Sequence, residues 1–219
     1  MKKLWLTLFL ALMLSGCAFP IEVTHKSVVR ITSMNGRVQG TGIVIDKVGD
    51  RYVVFTAAHV LAPGNWRIDG YKVLSGVVEP SSDIAIITFK PDSPYKPLKF
   101  GNPRRGQHAR LMGYPGRTHG VLSQTDGHVM AVNNNFLVSE LWYDGGAIPG
   151  FSGGPIIDDF GRVLGMAKAH VLGQHIVSGK PQWLCYDTAL CCISAQRLKA
   201  ILANLRRSVP EPSLVGLRS

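Results

Sequence analysis

Acidic residues are scarce in this chain: 14 Asp and Glu stand against 24 Lys and Arg among 219 residues, a formal net charge of +10. Cysteine is scarce too, with four residues, and aromatics make up only 8%. So few cysteines cannot staple a fold of this length, and its stability has to come from a core built out of the 46% apolar residues. No internal repeat or low-complexity tract occurs, which excludes solenoids and fibrous architectures. The apolar stretch Leu4 to Leu14 is far short of the ~20 residues a spanning helix needs. Cys185, Cys191 and Cys192 lack the paired ligands of a zinc site, so no metal is expected and no cofactor is called for. Arg104, Arg105, Arg110, Arg117, Arg206 and Arg207 carry no interleaved aromatics, so they read as solvated surface and not as a nucleic-acid platform.

At the N-terminus, Lys2 and Lys3 followed by Leu4 to Leu14 have the charged and apolar regions of an export signal. Leu14-Ser15-Gly16-Cys17 resembles the bacterial lipobox, which implies lipidation of Cys17 after removal of residues 1–16. Residues 17–26 then form a lipid-anchored linker. Ala18 in place of aspartate implies outer-membrane sorting in a Gram-negative host, with plain secretion as the alternative. Loss of Lys2 and Lys3 lowers the charge to +8, an excess suited to an anionic membrane surface. Three cysteines remain, so one disulfide, Cys185 with Cys191 or Cys192, can form and one thiol is left over.

Thirteen prolines and 24 glycines spread over the whole length suit many short strands. Asn35-Gly36 predicts a type I′ hairpin turn between strands at Ser27–Ser33 and Arg37–Ile45. Arg51 to Thr56 and Ile84 to Phe89 are further strands, the latter a continuous apolar run. Four prolines between Pro91 and Pro103 mark a linker between halves. Strands at Gln107–Tyr114, Val121–Gln124, His128–Asn133 and Phe136–Tyr143 open the second half. Leu198, Ile201, Leu202 and Leu205 recur at i, i+3, i+4 and i+7, predicting a helix over 194–207 that packs on the second half, capped by Ser194. Residues 209–219 are expected to be a disordered tail. The whole reads as an all-β fold of two six-stranded antiparallel barrels, over 27–90 and 104–193, with a short C-terminal helix.

The run Gly150-Phe151-Ser152-Gly153-Gly154-Pro155 places a serine among glycines whose backbone can approach a ligand closely, with amide N–H groups free to converge on one oxygen. Serine is a weak nucleophile and needs a base within reach, itself oriented by a third group. His59 in Thr56-Ala57-Ala58-His59-Val60 and Asp83 in Ser81-Ser82-Asp83-Ile84-Ala85-Ile86-Ile87 supply both. Asp83 can also be read as a turn or cap residue.

In these three motifs and their order the chain resembles the trypsin-like (chymotrypsin-fold) serine proteases, in the bacterial branch that includes the HtrA type. The resemblance implies a catalytic triad of His59, Asp83 and Ser152, an oxyanion hole from the backbone N–H groups of Gly150 and Ser152, and a protein or peptide substrate. It also implies that the strand holding Ala167, Lys168 and His170 walls the substrate pocket, with His170 suited to an acidic or Gln side chain, although a solvent-facing His170 is the plainer reading. Digestive members carry an aspartate before the serine. Here Phe151 stands there, so activation by a new N-terminal ammonium is not expected. Chain beyond Leu205 is too short for a PDZ domain. His25, His108, His119, His128 and His175 receive no role, and the oligomeric state is left open. Two other functions satisfy parts of the pattern: a non-catalytic binding module on a protease scaffold, and an esterase or lipase, since Gly150-Phe151-Ser152-Gly153-Gly154 also matches G-x-S-x-G.

Overall fold

The structure, a computed structural model, describes residues 23–61, 65–79, 82–116, 120–135, 138–177 and 180–208, with side chains described outside 38–39, 134–140 and 169–191. Cys17, the export signal and the 209–219 tail lie outside the described residues.

Strands β1 (Val28–Ser33), β2 (Val38–Val48) and β3 (Arg51–Ala57) lead into a 3-10 turn, Ala58–Leu61. Three short strands, β4 (Trp66–Ile68), β5 (Tyr71–Lys72) and β6 (Ser75–Glu79), precede β7 (Ile84–Phe89). Together they form a seven-stranded sheet in the order β5-β4-β1-β2-β3-β7-β6. In the second half β8 (His108–Gly113), β9 (Ser123–Asn135), β10 (Val138–Tyr143), β11 (Pro155–Ile157), β12 (Val163–Val177) and β13 (Lys180–Ser194) close a barrel in the order β10-β13-β12-β11-β8-β9. The helix α1 (Ala195–Ser208) follows. The fold is all-β and chymotrypsin-like, with one correction: the second half is a closed six-stranded barrel, whereas the first is a seven-stranded half-barrel with β5 and β6 at its edges.

The apolar run of β7 is explained by burial on both faces. Ile84 and Ile86 enter one core cluster with Ile43, Ile45, Val53 and Phe55. Ile87 and Phe89 enter a second with Val44, Tyr52 and Val54. That second cluster is the interior of the first half. The other cluster is shared: it also holds Met112, Tyr114, Ile157, Val163, Met166 and Ile193 from the barrel, and Leu198 from α1. A third cluster, with Leu111, Tyr143, Phe151, Ile156 and Leu164, fills the barrel. A strand exposed on neither face needs no polar alternation.

Several sequence expectations change here. The β1–β2 turn is not type I′, which needs positive φ at both central residues. Only Gly36 has it, at +78°, and Asn35 does not. Gly36 N–H donates to Ser33 C=O at 2.9 Å and Ser33 N–H to Arg37 C=O at 3.0 Å. This is the three-residue loop in which a type I turn is followed by a glycine bulge. Asp126-Gly127 does not break the second half, since Gly127 pairs with Ala109 inside the continuous β9. Cys185, Cys191 and Cys192 all lie on β13. The side chains of Cys185 and Cys191 lie outside those described.

The helix contacts β12 and β13, as expected, but it also reaches the first half. Leu202 and Leu205 face Val48, Val53, Val77 and Ile86. Arg197 pairs with Glu79 at 3.3 Å and Arg206 pairs with Asp46. Lys199 Nζ donates to Gly101 C=O at 3.0 Å, tying α1 to the linker. That linker is itself packed: Leu98 N–H donates to Val44 C=O and Gly101 N–H to Val163 C=O, both at 2.8 Å. Because Leu198 is fully buried in the shared cluster, Leu198→Ala is expected to cost about 2–5 kcal/mol in urea unfolding, with both halves losing structure in one transition.

Candidate active site

His59 and Asp83 are brought together by the pairing of β3 with β7. Ala57 faces Ile84, the last pair of that ladder, so the residues just beyond it on each strand are neighbours. Ala58 N–H donates to Asp83 C=O at 3.1 Å. The Asp83 carboxylate then takes two bonds from one residue: His59 backbone N–H to Oδ1 at 2.9 Å, and His59 Nδ1 to Oδ2 at 2.8 Å. One carboxylate therefore both caps the 3-10 turn and holds the His59 ring. Asp83 sits at φ +54°, a left-handed conformation that aspartate tolerates better than most residues. Its side chain is 17% exposed and that of His59 46%, so the ring reaches solvent from a half-buried anchor.

Burial pushes the Asp83 carboxyl up, but the His59 ring and backbone hydrogen bonds, and the charges of His59 and Lys168, more than offset this and hold it below the ordinary carboxylate value.

Ser152 is delivered to the same place by its main chain. Its C=O accepts Thr41 N–H at 2.8 Å. Gly40 lies between Ser152 and Val60, the residue after His59; a Cβ there would stand 2.9 Å from Ser152 O and 2.8 Å from Val60 Cγ1. Gly153, at φ +82°, passes so close to Thr56 and Ala57 that a Cβ would lie 2.9 Å from Ala57 N. On the barrel side, Gly153 N–H donates to Ala167 C=O at 2.8 Å and Ala167 N–H to Gly154 C=O at 2.9 Å. Phe151 is buried in the barrel core, against Gly113. It therefore anchors the serine turn by packing in the barrel core.

Ile148-Pro149-Gly150-Phe151 is a tight turn, with Phe151 N–H donating to Ile148 C=O at 3.1 Å and Gly150 at φ +107°. Proline then positive-φ glycine is the type II signature. A type I turn would reverse the central peptide and with it the Gly150 N–H. Among the described residues neither Gly150 N–H nor Ser152 N–H donates to a protein acceptor, and Ser152 Oγ makes no hydrogen bond to His59.

Thr41 is the residue that sequence reasoning missed. Fully buried, it donates from Oγ1 to Gly150 C=O at 2.7 Å and accepts Tyr114 N–H at 2.9 Å. Its own C=O accepts Thr56 Oγ1 at 2.7 Å. The signal was a threonine between two glycines, Gly40 and Gly42, directly before the apolar run Ile43-Val44-Ile45. Of the proposed pocket residues, Ala167 is buried in the barrel, Lys168 is partly exposed, and His170 is described only by its backbone, paired with Leu190.

An all-β scaffold with the histidine and aspartate on one half and the serine turn on the other defines the chymotrypsin-like class. The chain belongs to the trypsin-like peptidase domain family, whose profile matches residues 40–166. HtrA-like serine proteases from two strains of Staphylococcus epidermidis are 30% identical over 162 residues, 64% of this chain and 28% of theirs. An uncharacterized protein, y4bJ, from Sinorhizobium fredii is 29% identical over 161 residues, 24% of its length. This chain thus spans about a quarter of the length of the curated relatives it matches. Among solved structures, the active form of the Rv3671c protease of Mycobacterium tuberculosis superposes with a TM-score of 0.63 at 25% identity, covering 84% of this chain and 82% of that one. The inactive form of the same protease gives 0.60 at 26%, covering 84% and 90%. The α/β-hydrolase alternative fails on fold: Ser152 is followed by β11 in a barrel, not by a helix.

Two outcomes are expected. Thr41→Val keeps the shape but leaves Gly150 C=O and Tyr114 N–H unsatisfied, at about 1–3 kcal/mol each; chemical denaturation should register the loss and Thr41→Ser should restore it. The lowered Asp83 value adds stability that is full above the ordinary carboxylate range and is lost as pH falls through the depressed folded value. The acid limb of the melting temperature should therefore be shallower in Asp83→Asn than in the parent.

Proposed function

We propose that the chain is a serine endopeptidase acting through His59, Asp83 and Ser152. The observation that carries this reading is the Ser152 turn, fixed against the strand ends that hold the His59–Asp83 pair with two neighbouring N–H groups uncommitted. Ser152 Oγ attacks the scissile carbonyl carbon while His59 Nε2 takes its proton. The C–N bond then breaks as His59 returns that proton to the leaving amine, and water releases the acyl group by the same steps. Asp83 holds Nδ1 protonated, so that Nε2 is the basic nitrogen. The N–H groups of Gly150 and Ser152 receive the developing oxyanion, each such donor being worth ~2.7–4 kcal/mol in related chemistry. In free enzymes the nucleophile–base bond is often open and closes on substrate, which accommodates the missing Ser152–His59 bond. With Phe151 in the core, the turn is held without an N-terminal ammonium.

The substrate is a protein or peptide, read by the wall at Ala167, Lys168 and His170. The peptidase domain spans residues 27–208, and Cys17, lipidated, tethers it to the bacterial envelope; among the described residues no helix is long and apolar enough to cross a membrane.

Ser152→Ala should abolish peptide hydrolysis with an unchanged melt, since no core volume is lost; cleavage at the parental rate would mean another nucleophile. Asp83→Asn should lower kcat by on the order of 10⁴ through the wrong His59 tautomer, measured per titrated site. Near-normal turnover with a lowered melting temperature would leave Asp83 as a cap alone. For the anchor, labelled fatty acid should enter the parent and not Cys17→Ser.

A further inference from the structure

Strand β12 carries one residue too many where it passes the Ser152 turn. Ala167 pairs with Cys192 and Ala169 with Cys191, so Lys168 has no opposite number on β13. A bulge of this kind re-aims the side chain it inserts. Without it, Lys168 would share the face of Met166, which is fully buried in the apolar seam between the halves. Instead Lys168 is partly exposed, one residue beyond Ala167, whose N–H and C=O both bond the turn of the nucleophile.

The lysine is also close enough for its charge to act on Asp83. Yet Asp83 does not neutralise it, since both carboxylate oxygens are taken by His59. Among the described residues Lys168 enters no ion pair: the eight that form lie elsewhere or join His59 to Asp83. A structural lysine in a half-buried position would be expected to bring its partner with it. Among the described residues this one stands uncompensated, near enough to Asp83 for its charge to be felt there.

We propose that Lys168 is a specificity residue, whose ammonium receives the carboxylate of an acidic side chain within two residues of the scissile bond. This rests on the peptidase reading above and adds the substrate class. A bound peptide displaces water from the cleft and lowers the local dielectric, so the charge pair is stronger there than on open surface. Selection then comes from two directions: a Glu or Asp side chain completes the lysine, and a Lys or Arg side chain meets a like charge.

The test is kcat/KM of the full chain in detergent on matched peptides carrying Glu, Gln or Lys at each position flanking one cleavage site. The parent should prefer Glu to Gln by about tenfold at one such position, the equivalent of ~1.4 kcal/mol, and Gln to Lys by a similar factor. Lys168→Met should remove the preference, so that the Glu, Gln and Lys peptides are cleaved at similar rates. Lys168→Glu should invert it, so that the Lys peptide becomes the best, which a variant that merely unfolds cannot do. Ser152-dependent cleavage that is blind to charge overturns the proposal and leaves the peptidase reading standing. A Glu preference that survives in Lys168→Met also overturns it, because the selecting charge would then lie elsewhere. Absence of any Ser152-dependent cleavage in the parent sinks both.

Discussion

The structure depends on the four hydrogen bonds that converge on Thr41. Its hydroxyl spans Gly150 C=O and Tyr114 N–H, its backbone N–H holds Ser152 C=O, and its C=O takes the Thr56 hydroxyl. One residue of the first half thereby fixes both carbonyls that flank Phe151 in the second, and ties them to the strand that leads into His59. Each bond is buried or partly so, and a buried group left unpaired is costly. The serine turn thus has little freedom to drift from the segment that carries His59. Gly40 and Gly153 make room for this approach, because any side chain at either would push the halves apart.

Around that seam the core is arranged as three clusters, and the middle one belongs to both halves. Phe55 and Ile86 meet Met112, Val163 and Met166 there, and Leu198 closes it from α1. The helix is accordingly a clasp across the cleft and not an appendage of the barrel, with Arg197 on Glu79, Arg206 on Asp46 and Lys199 on the linker. A site shared between two sheets needs such a common core, since a nucleophile misplaced by 1 Å can lose about a hundredfold in rate.

Where chemistry restricts residue type, the sequence was readable. The glycine-flanked serine, His59 at a strand end and Asp83 at the head of an apolar strand lie where the motifs put them. So does the helix, whose 3.6-residue periodicity marks Leu198, Ile201, Leu202 and Leu205. What escaped was set by tertiary contact. The short strands β4, β5 and β6 carry too few residues for a pattern. Asp126-Gly127 looks like a break but is paired, because Gly127 lies against Asp144 and Gly145 and only a glycine fits. Asn35-Gly36 permits two turn types, and only the backbone of Asn35 decides between them. Thr41 looks like a strand residue until its four partners, from residues 15 to 111 positions away, are in place. The bulge at Lys168 is invisible for the same reason, since it exists only relative to β13.

Ser152 is thus drawn as a nucleophile whose reactivity depends on a ring oriented by Asp83, in a turn held by Thr41 and Phe151. Stoichiometric labelling with a fluorophosphonate, read by intact mass and peptide mapping, tests that claim without reference to any substrate. The account predicts one adduct per chain, located on Ser152, and its loss in His59→Ala while that variant stays folded. An adduct on another residue, or equal labelling of parent and His59→Ala, would contradict it.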